Sequence, residues 1–195
     1  KELLYLYLDR VIKLPKEEYK KEEIGQVVFA VKKLEPKLNH MLRECMVRMG
    51  IPEERVQVIS HSEGFIYYIL SQKKEIWNNT VGMFDLAEVG LRYYEMKVQR
   101  GMKKITVVAE YEDLEEWFNL DILKSPSGGR LADKILTACA ERMMARKAYS
   151  SVFLTGKGFS NQDWAKGLMK FLCTKRKVFM EQGLFARGAA CRAAE

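Results

Sequence analysis

A glycine turn behind an apolar run contains the residue types most suited to holding a ligand. Gly156, Lys157 and Gly158 follow the β-type run 152–155 and precede a helix-like segment that starts near Ser160. Because glycine has no Cβ, such a turn can bring bare backbone N–H groups close to a ligand. Lys157 could meet a phosphate or stack its stem on a base. The alternative is an ordinary tight turn with an exposed lysine.

Two acidic residues lie where chemistry could occur. Asp85 ends an apolar β-type run, so it is either a metal-facing carboxylate at a strand's carboxyl end or a turn aspartate. Glu63 belongs to His61-Ser62-Glu63, whose residue types serve in nucleophilic catalysis, but triads are built by spatial convergence and rarely by neighbours in sequence. The structural interpretation is favoured here, with Ser62 capping the helix that follows.

The basic residues offer a second kind of binding. The net charge of +7 permits contact with nucleic acid, an acidic protein or a membrane surface. Most basic residues are spread along the chain, but Lys175, Arg176 and Lys177 form a tight cluster, to which Arg187 could contribute. A solvated surface explains the same pattern and is the simpler interpretation.

Composition indicates a globular protein of one large or two small domains. The 195 residues are 48% hydrophobic and 30% charged, enough to bury a core. No apolar run reaches the roughly 18 residues of a membrane span. The four scattered cysteines show no C-x-x-C spacing, which favours reduced thiols and a cytoplasmic protein. The chain does not begin with Met, and we expect it to be part of a longer protein.

The order of the predicted elements is more informative than any single motif. After a helix over 3–12, residues 26–78 are predicted to form strand, helix, strand and helix. Three β-type runs follow at 81–86, 90–98 and 103–111. A loop signal at 125–129 then precedes a helix over 131–149, and strands and helices alternate to a last helix over 184–194. We therefore expect an α/β fold with a βββαβαβα unit in 81–195, preceded in 1–78 by the end of another such unit.

Two such units in tandem resemble the actin, DnaK-chaperone and sugar-kinase ATPase superfamily, whose lobes share a ribonuclease H-like unit. The similar segments are the strand and acidic turn 56–64, the phosphate-loop strand 81–86, the adenosine strand and glycine turn 152–159, and Gly188-Ala189-Ala190 of the closing helix. The resemblance spans residues 26–194. The chain also resembles a family of uncharacterised bacterial proteins with such a C-terminal region.

The resemblance implies ATP and Mg²⁺ as ligands. It would place Gly156, Lys157 and Gly158 near adenosine, and Asp85 near metal and phosphate. Glu63 would face a metal-bound water. These are expectations from the likeness alone.

The chain departs from this superfamily after the aspartate, where working members carry a Gly-Gly-Gly-Thr-type loop. Here the sequence continues Leu86-Ala87-Glu88-Val89-Gly90. The side chains of Ala87, Glu88 and Val89 would obstruct a close approach of phosphate, and Glu88 would repel it.

We therefore predict an actin-like protein with a degenerate phosphate site, acting as a pseudo-ATPase or as a nucleotide-responsive scaffold for partner proteins or for itself. One alternative is an active ATPase completed by an N-terminal region that precedes Lys1. The other is a basic module that binds nucleic acid or an acidic protein.

Overall fold

The computed structural model describes residues 1–20, 22–88, 90–101, 105–114 and 118–195. Within these ranges the strands form two sheets, and helices pack on them. In chain order the elements are α1 (Glu2–Glu18), β1 (Val27–Val31), α2 (Pro36–Arg48), β2 (Val56–Ser60), α3 (His61–Leu70), β3 (Thr80–Ala87), β4 (Gly90–Arg100), β5 (Ile105–Asp113), α4 (Pro126–Met144), β6 (Tyr149–Thr155), α5 (Lys166–Cys173), β7 (Lys177–Met180) and α6 (Leu184–Ala193).

The larger sheet has five strands in the order β5-β4-β3-β6-β7. β4 runs antiparallel to both of its neighbours, whereas β6 pairs in parallel with β3 and β7. This is a ribonuclease H-like βββαβαβα arrangement, so the predicted fold class is confirmed. β1 and β2 form a separate two-stranded parallel sheet. The predicted start of the third strand, 103–104, lies outside the described residues.

Most side chains of strand β3 are apolar, because helices cover both faces of the five-stranded sheet. Phe84 and Leu86 pack in one core with α4 and α5, whereas Val81 and Met83 pack in another with α3 and Leu184 of α6. Since successive residues of a strand point to opposite faces, Asp85 lies on the face of Val81 and Met83. Its carboxylate is therefore on the side of α3 and α6.

Helices α3 and α6 cross between the two sheets. They pack on each other, and both also contact β1. At the crossing, a Cβ built on Gly188 would overlap the backbone carbonyl of Gly64. The Gly188-Ala189-Ala190 segment thus lies at a close helix contact. The division into domains 1–78 and 81–195 stays a prediction.

Two boundaries predicted from the sequence are wrong. Residues 125–129 are not a loop, because Ser125 caps α4, its Oγ accepting a bond from Gly128 N at 3.1 Å, and Pro126 begins the helix. Gly128 lies in the first turn of α4, where a Cβ would overlap the Ile122 carbonyl. Helix α1 also continues beyond its predicted end at residue 12, through Pro15 to Glu18.

The four cysteines form no disulfide in the structure. Cys45 and Cys139 are buried, Cys173 is exposed and Cys191 is half-buried. A transmembrane span requires a long and predominantly apolar helix, and the described ranges contain none. A cytoplasmic location stays a prediction.

Candidate functional site

The carboxyl ends of β3 and β6 meet at the candidate site. Asp85 pairs with Thr155 in the parallel register, so the glycine turn begins beside it. Gly156 has a φ of +94°. A Cβ on this residue would lie 2.5 Å from the Leu86 carbonyl oxygen and 2.8 Å from Asp85 Oδ1. Both the positive φ and the close approach require glycine. The turn therefore packs directly against the end of β3.

The side chain of Leu86 fills the space beside Gly158. Leu86 is fully buried, and a Cβ on Gly158 would overlap the side chains of Leu86 and Leu120. The second glycine of the turn is therefore required by the packing of the chain itself. Leu86 was not among the residues expected to obstruct a phosphate. Its signal in the sequence is an apolar residue directly after Asp85, where the superfamily has glycine.

Of the three residues that were expected to obstruct the phosphate, Ala87 is half-buried and Glu88 is exposed, while Val89 lies outside the described residues. Glu88 forms an exposed ion pair with Lys157. The charge of Glu88 is thus partly neutralised by the lysine of the glycine turn, which weakens the repulsion expected from it.

A groove of about 700 Å³ opens beside the glycine turn. Its lining includes Lys157, Gly158 and Trp164, together with most residues of the segment 119–124. Two side chains hold the turn: the Trp164 indole N–H donates to Gly158 O at 3.1 Å, and Gln182 Nε2 donates to Gly156 O at 2.9 Å. No local sequence pattern indicates these contacts, because both residues come from later in the chain.

Asp85 lies among cationic groups on the α3-facing side of the sheet. Burial raises the pKa of this carboxyl from 3.8 to about 6, and the positive charges of Arg92 and Lys32 only partly oppose that rise. Arg92 is the cross-strand partner of Asp85, but its guanidinium binds Asp113 through two bonds, of 2.5 and 2.9 Å. The guanidinium of Arg92 is therefore already paired with Asp113 and not with Asp85.

Arg92 and Asp113 were missed in the sequence. Arg92 is only 7% exposed, and its guanidinium also lies 4.0 Å from the ring centroid of Tyr111. The available signal was an arginine between Leu91 and Tyr93 in an apolar run, since a buried arginine requires a partner. The identity of that partner depends on the pairing of β4 with β5.

We predict that Asp85→Asn stabilises the protein above pH 6. The pKa of Asp85 is raised from 3.8 to about 6 in the folded state. Between pH 3.8 and about pH 6 the carboxyl is therefore protonated in the native state and ionised in the unfolded state. Native stability therefore falls as the pH rises through this window, by up to about 3 kcal/mol. The asparagine side chain does not ionise, so the Asp85→Asn variant does not lose this stability. Urea unfolding at pH 4 and pH 8 should show equal stability at pH 4 and a more stable variant at pH 8.

Asp113→Asn is the matched control for this prediction. The pKa of Asp113 is lowered, first by its hydrogen bond from Arg92, so the substitution leaves a buried guanidinium without its counter-charge. This variant should be less stable than the parent at pH 8. If Asp85→Asn were no more stable than the parent at pH 8, ionisation of the Asp85 carboxyl would not destabilise the folded protein, and the prediction would be wrong.

The side chain of Glu63 helps to cap the start of α3. Its Oε2 accepts bonds from Ser60 N at 2.7 Å and Ser60 Oγ at 2.9 Å, and Ser60 Oγ accepts from Glu63 N at 3.1 Å. These contacts make a capping box with Ser60 as the N-cap. The expected cap, Ser62, is wrong by two residues. The carboxylate of Glu63 thus has a local structural role beside any role toward a ligand.

His61 stacks on Phe185 of α6, with the ring centroids 3.9 Å apart. Burial, aided by the positive charges of Arg92 and Lys32, lowers its pKa to about 4. The imidazole is therefore neutral at pH 7 and joins α3 to α6 through an aromatic contact.

The described residues form no metal site of their own. Within the described ranges, no group of three or more His, Cys, Asp or Glu side chains could hold a metal ion. Mg²⁺ prefers carboxylate oxygens and bound water, but the carboxylate of Asp85 lies near the positive charges of Arg92 and Lys32. A divalent cation would add a further positive charge at this position.

The basic cluster is largely engaged in internal contacts. Lys177 pairs with Glu75 at 2.9 Å and Arg187 with Glu181 at 3.2 Å. Arg176 lies over the ring of Phe171, with its Cζ 5.1 Å from the centroid. Lys175 is exposed in the turn before β7. A nucleic-acid or acidic-partner site at Lys175, Arg176 and Lys177 stays a prediction, and these pairings reduce the net charge it would present.

The family model for the C-terminal region of a family of unknown function, DUF5716, matches residues 1–195. The chain belongs to this family. No curated protein matches the DUF5716 chain. The family is one of unknown function, so membership of it assigns no activity.

Among the solved structures that share the fold of the DUF5716 chain are two that align with nearly all of it. One is a ROK family protein from Streptococcus pneumoniae TIGR4 in complex with sucrose, at 9% identity and a TM-score of 0.57, with 98% of this chain and 85% of that chain covered. The other is the ethanolamine utilization protein EutJ from Carboxydothermus hydrogenoformans, at 11% identity and a TM-score of 0.58, with 97% and 74% covered. The DUF5716 chain thus has the actin-like ATPase fold, as its sequence predicted.

Proposed function

We propose that this DUF5716 region is a pseudo-ATPase: an actin-like fold that keeps a ligand groove, lacks a working phosphate and metal site, and serves as a nucleotide-responsive scaffold for partner proteins. The observation that carries the proposal is the buried side chain of Leu86 against Gly158. A phosphate loop needs backbone N–H groups that a ligand can reach. After Asp85 the chain instead buries its own leucine against Gly158.

The charges around Asp85 support the loss of metal chemistry. The raised pKa leaves this carboxyl a poor metal ligand at moderately acidic pH. Glu63, the other expected catalytic carboxylate, accepts two hydrogen bonds from Ser60. On these grounds the proposal assigns neither residue a catalytic step.

The groove beside the glycine turn supports retained binding. Its volume of about 700 Å³ lies within the usual range of small-molecule sites. Lys157 stands at its edge in an exposed ion pair with Glu88, and exposed pairs exchange partners at little cost. An anionic ligand could therefore replace Glu88 as the ion-pair partner of Lys157. The position of Lys157 would then depend on whether a nucleotide is bound.

Titration with adenosine, ADP and ATP, each with and without Mg²⁺, tests this proposal. We expect weak binding that changes less than about threefold with Mg²⁺, and no ATP hydrolysis, because no metal bridges the phosphates. Lys157→Ala should weaken ATP binding about five- to tenfold and leave adenosine binding nearly unchanged. Lys170→Ala, an exposed lysine on α5, is the control and should alter neither.

Two outcomes would contradict the proposal. Mg²⁺-dependent ATP hydrolysis that disappears in Asp85→Asn would favour the active ATPase, completed by groups from elsewhere in the protein. Absence of binding by all three ligands in calorimetry and in thermal-shift measurements would exclude a nucleotide-responsive scaffold.

A further inference from the structure

The five-stranded sheet ends in a long strand whose outer edge is open. β5 is the first strand in the order β5-β4-β3-β6-β7, so β4 occupies only one of its two edges. Within the described ranges no strand pairs with the other edge. The register between β4 and β5 is continuous over all nine residues of β5. The free backbone N–H and C=O groups of such an edge are a template for a further strand.

The register shows which backbone groups face the open edge. Leu114 N donates to Leu91 O at 2.7 Å, and these two residues lie opposite each other where the β4–β5 ladder ends. Because hydrogen-bonded and non-hydrogen-bonded pairs alternate in an antiparallel ladder, the even-numbered residues of β5 bond to β4. The backbone groups of Val107, Ala109 and Tyr111 therefore point outward.

β5 lacks the features that usually protect an edge strand, which are shortness, proline, bulges and charged side chains. The outer strand at the other end of the sheet, β7, has only four residues and begins with the exposed Lys177. β5 has nine residues and no proline, and Val108 near its middle is 40% exposed. Its charged residues, Glu110, Glu112 and Asp113, all lie toward its C-terminal end. The part of the edge around Val108 is therefore suited to pairing.

The charge pattern of this segment is complementary to itself. In the sequence, Lys103 and Lys104 are five and four residues before Val108. Glu112 and Asp113 are four and five residues after it. Two copies of the segment that run antiparallel about Val108 therefore bring opposite charges together at both ends. Residues 102–104 lie outside the described ranges, so this complementarity is a property of the sequence.

The acidic end of β5 can accept a further cation. The side chain of Glu112 is 51% exposed and pairs with Arg142 at 3.0 Å. That of Asp113 is 44% exposed and pairs with Arg92. Because an ionised carboxylate has two oxygens and about four acceptor positions, each can also accept a hydrogen bond from a lysine of another molecule. The existing contacts with arginine need not break.

We propose that the open edge of β5 binds the same edge of a second copy of this chain, antiparallel about a twofold axis at Val108. Val108 then faces Val108 of the second copy as a non-hydrogen-bonded pair, and Val107 exchanges backbone hydrogen bonds with Ala109 of that copy. Such a contact uses the same surface on both molecules, so assembly stops at a dimer. The competing occupant is a strand from a different protein. Nucleotide binding is not required for this pairing.

Disulfide coupling in the full-length protein tests the register. The Cα atoms of a non-hydrogen-bonded pair are about 4.5 Å apart, within the range of a disulfide. Val108→Cys should therefore couple two copies under mild oxidation at least about tenfold faster than Thr106→Cys or Glu110→Cys alone, whose equivalent Cα atoms would be roughly 13 Å apart. An equal mixture of these last two variants should couple, since positions 106 and 110 face each other. The unsubstituted protein, in which Cys173 is exposed, measures coupling through the native thiols.

Sedimentation of the full-length protein tests the dimer itself. Val108→Lys places two like charges opposite each other at the twofold axis, and we expect it to weaken the dimer at least about tenfold. Val47→Lys is the matched control, because Val47 is a 51% exposed valine on α2, and it should leave the dimer unchanged. Both positions are exposed, so both variants should remain folded.

Four results would overturn the proposal. A full-length protein that sediments as a monomer at every concentration tested would exclude self-pairing. A dimer that withstands Val108→Lys, without faster coupling at position 108, would place the contact on another surface. Equal coupling of the three single-cysteine variants would indicate random collision. Protection of the β5 amides from hydrogen exchange only after another protein is added would identify that protein as the occupant.

Discussion

Gly188→Val is expected to destabilise the protein by more than about 3 kcal/mol, because it forces apart the two helices that lie between the sheets. At the crossing of α3 and α6 the backbones are so close that even a Cβ on Gly188 would overlap the carbonyl oxygen and carbonyl carbon of Gly64. A flexible side chain could move aside, but this neighbour is backbone. The helices would have to separate, and the His61–Phe185 stack would be lost with them.

Ala190→Val is the matched control for Gly188→Val. Ala190 is two residues further along α6 and is exposed, so valine there costs only its lower helix propensity, less than about 1 kcal/mol. Thermal and urea unfolding measure both variants. A Gly188→Val protein as stable as the Ala190→Val protein would contradict the close helix crossing.

Glu95→Gln is expected to cost about 3 kcal/mol, because Glu95 is the centre of a buried polar network. The residue is 5% exposed. Its carboxylate accepts bonds from Tyr149 Oη at 2.6 Å and Lys147 Nζ at 2.8 Å. Lys97 and Tyr93 also contact it, at 3.0 and 3.1 Å. Removing the charge leaves these donors with a weaker acceptor inside the protein.

The same network predicts loss of stability in acid. Burial alone would raise the pKa of Glu95, but hydrogen bonds from Lys147, Tyr149 and Lys97 outweigh it and lower the pKa from 4.5 to about 2. A depressed folded-state pKa means stability that is present above pH 4.5 and lost as the pH falls toward 2, by about 3 kcal/mol. Urea unfolding between pH 7 and pH 2.5 measures this loss, which should be much smaller in Glu95→Gln.

Glu110→Gln provides the control for Glu95→Gln. Glu110 is the cross-strand partner of Glu95, and its exposed side chain lies 3.8 Å from Lys97. The same substitution at an exposed position should change stability by less than about 0.5 kcal/mol. Equal effects at the two positions would show that the Glu95 network contributes no more than a surface ion pair.

The sequence predicted the fold class correctly, because the order of apolar runs depends on local periodicity. The β-type run at 81–86 and the helix-like pattern at 184–194 lie close to β3 and α6 as found. The boundaries of the helices and strands were predicted less accurately. Ser125 and Gly128 have the composition of a loop, yet they cap and pack the start of α4. A cap and a loop use the same residue types, and only the next element along the chain distinguishes them.

The candidate site was predicted only in part. The sequence named Asp85 and the glycine turn, and the parallel pairing of β3 with β6 brings them together. It named Ala87, Glu88 and Val89 as obstructions, whereas the structure adds Leu86, which lies against Gly158. Alternation along a strand sends Asp85 and Leu86 to opposite faces, so the residue that meets the turn follows from the geometry of the sheet.

By itself, then, the sequence determined the succession of strands and helices and the presence of a glycine turn after an apolar strand, since both follow from residue types read along the chain. Only the tertiary structure decided what surrounds them: that Leu86 packs on Gly158, that Asp113 holds Arg92 beside Asp85, and that Gly188 meets Gly64. Each of these contacts joins different elements of the fold, and strand register and helix crossing, which no local pattern encodes, set the distance between them.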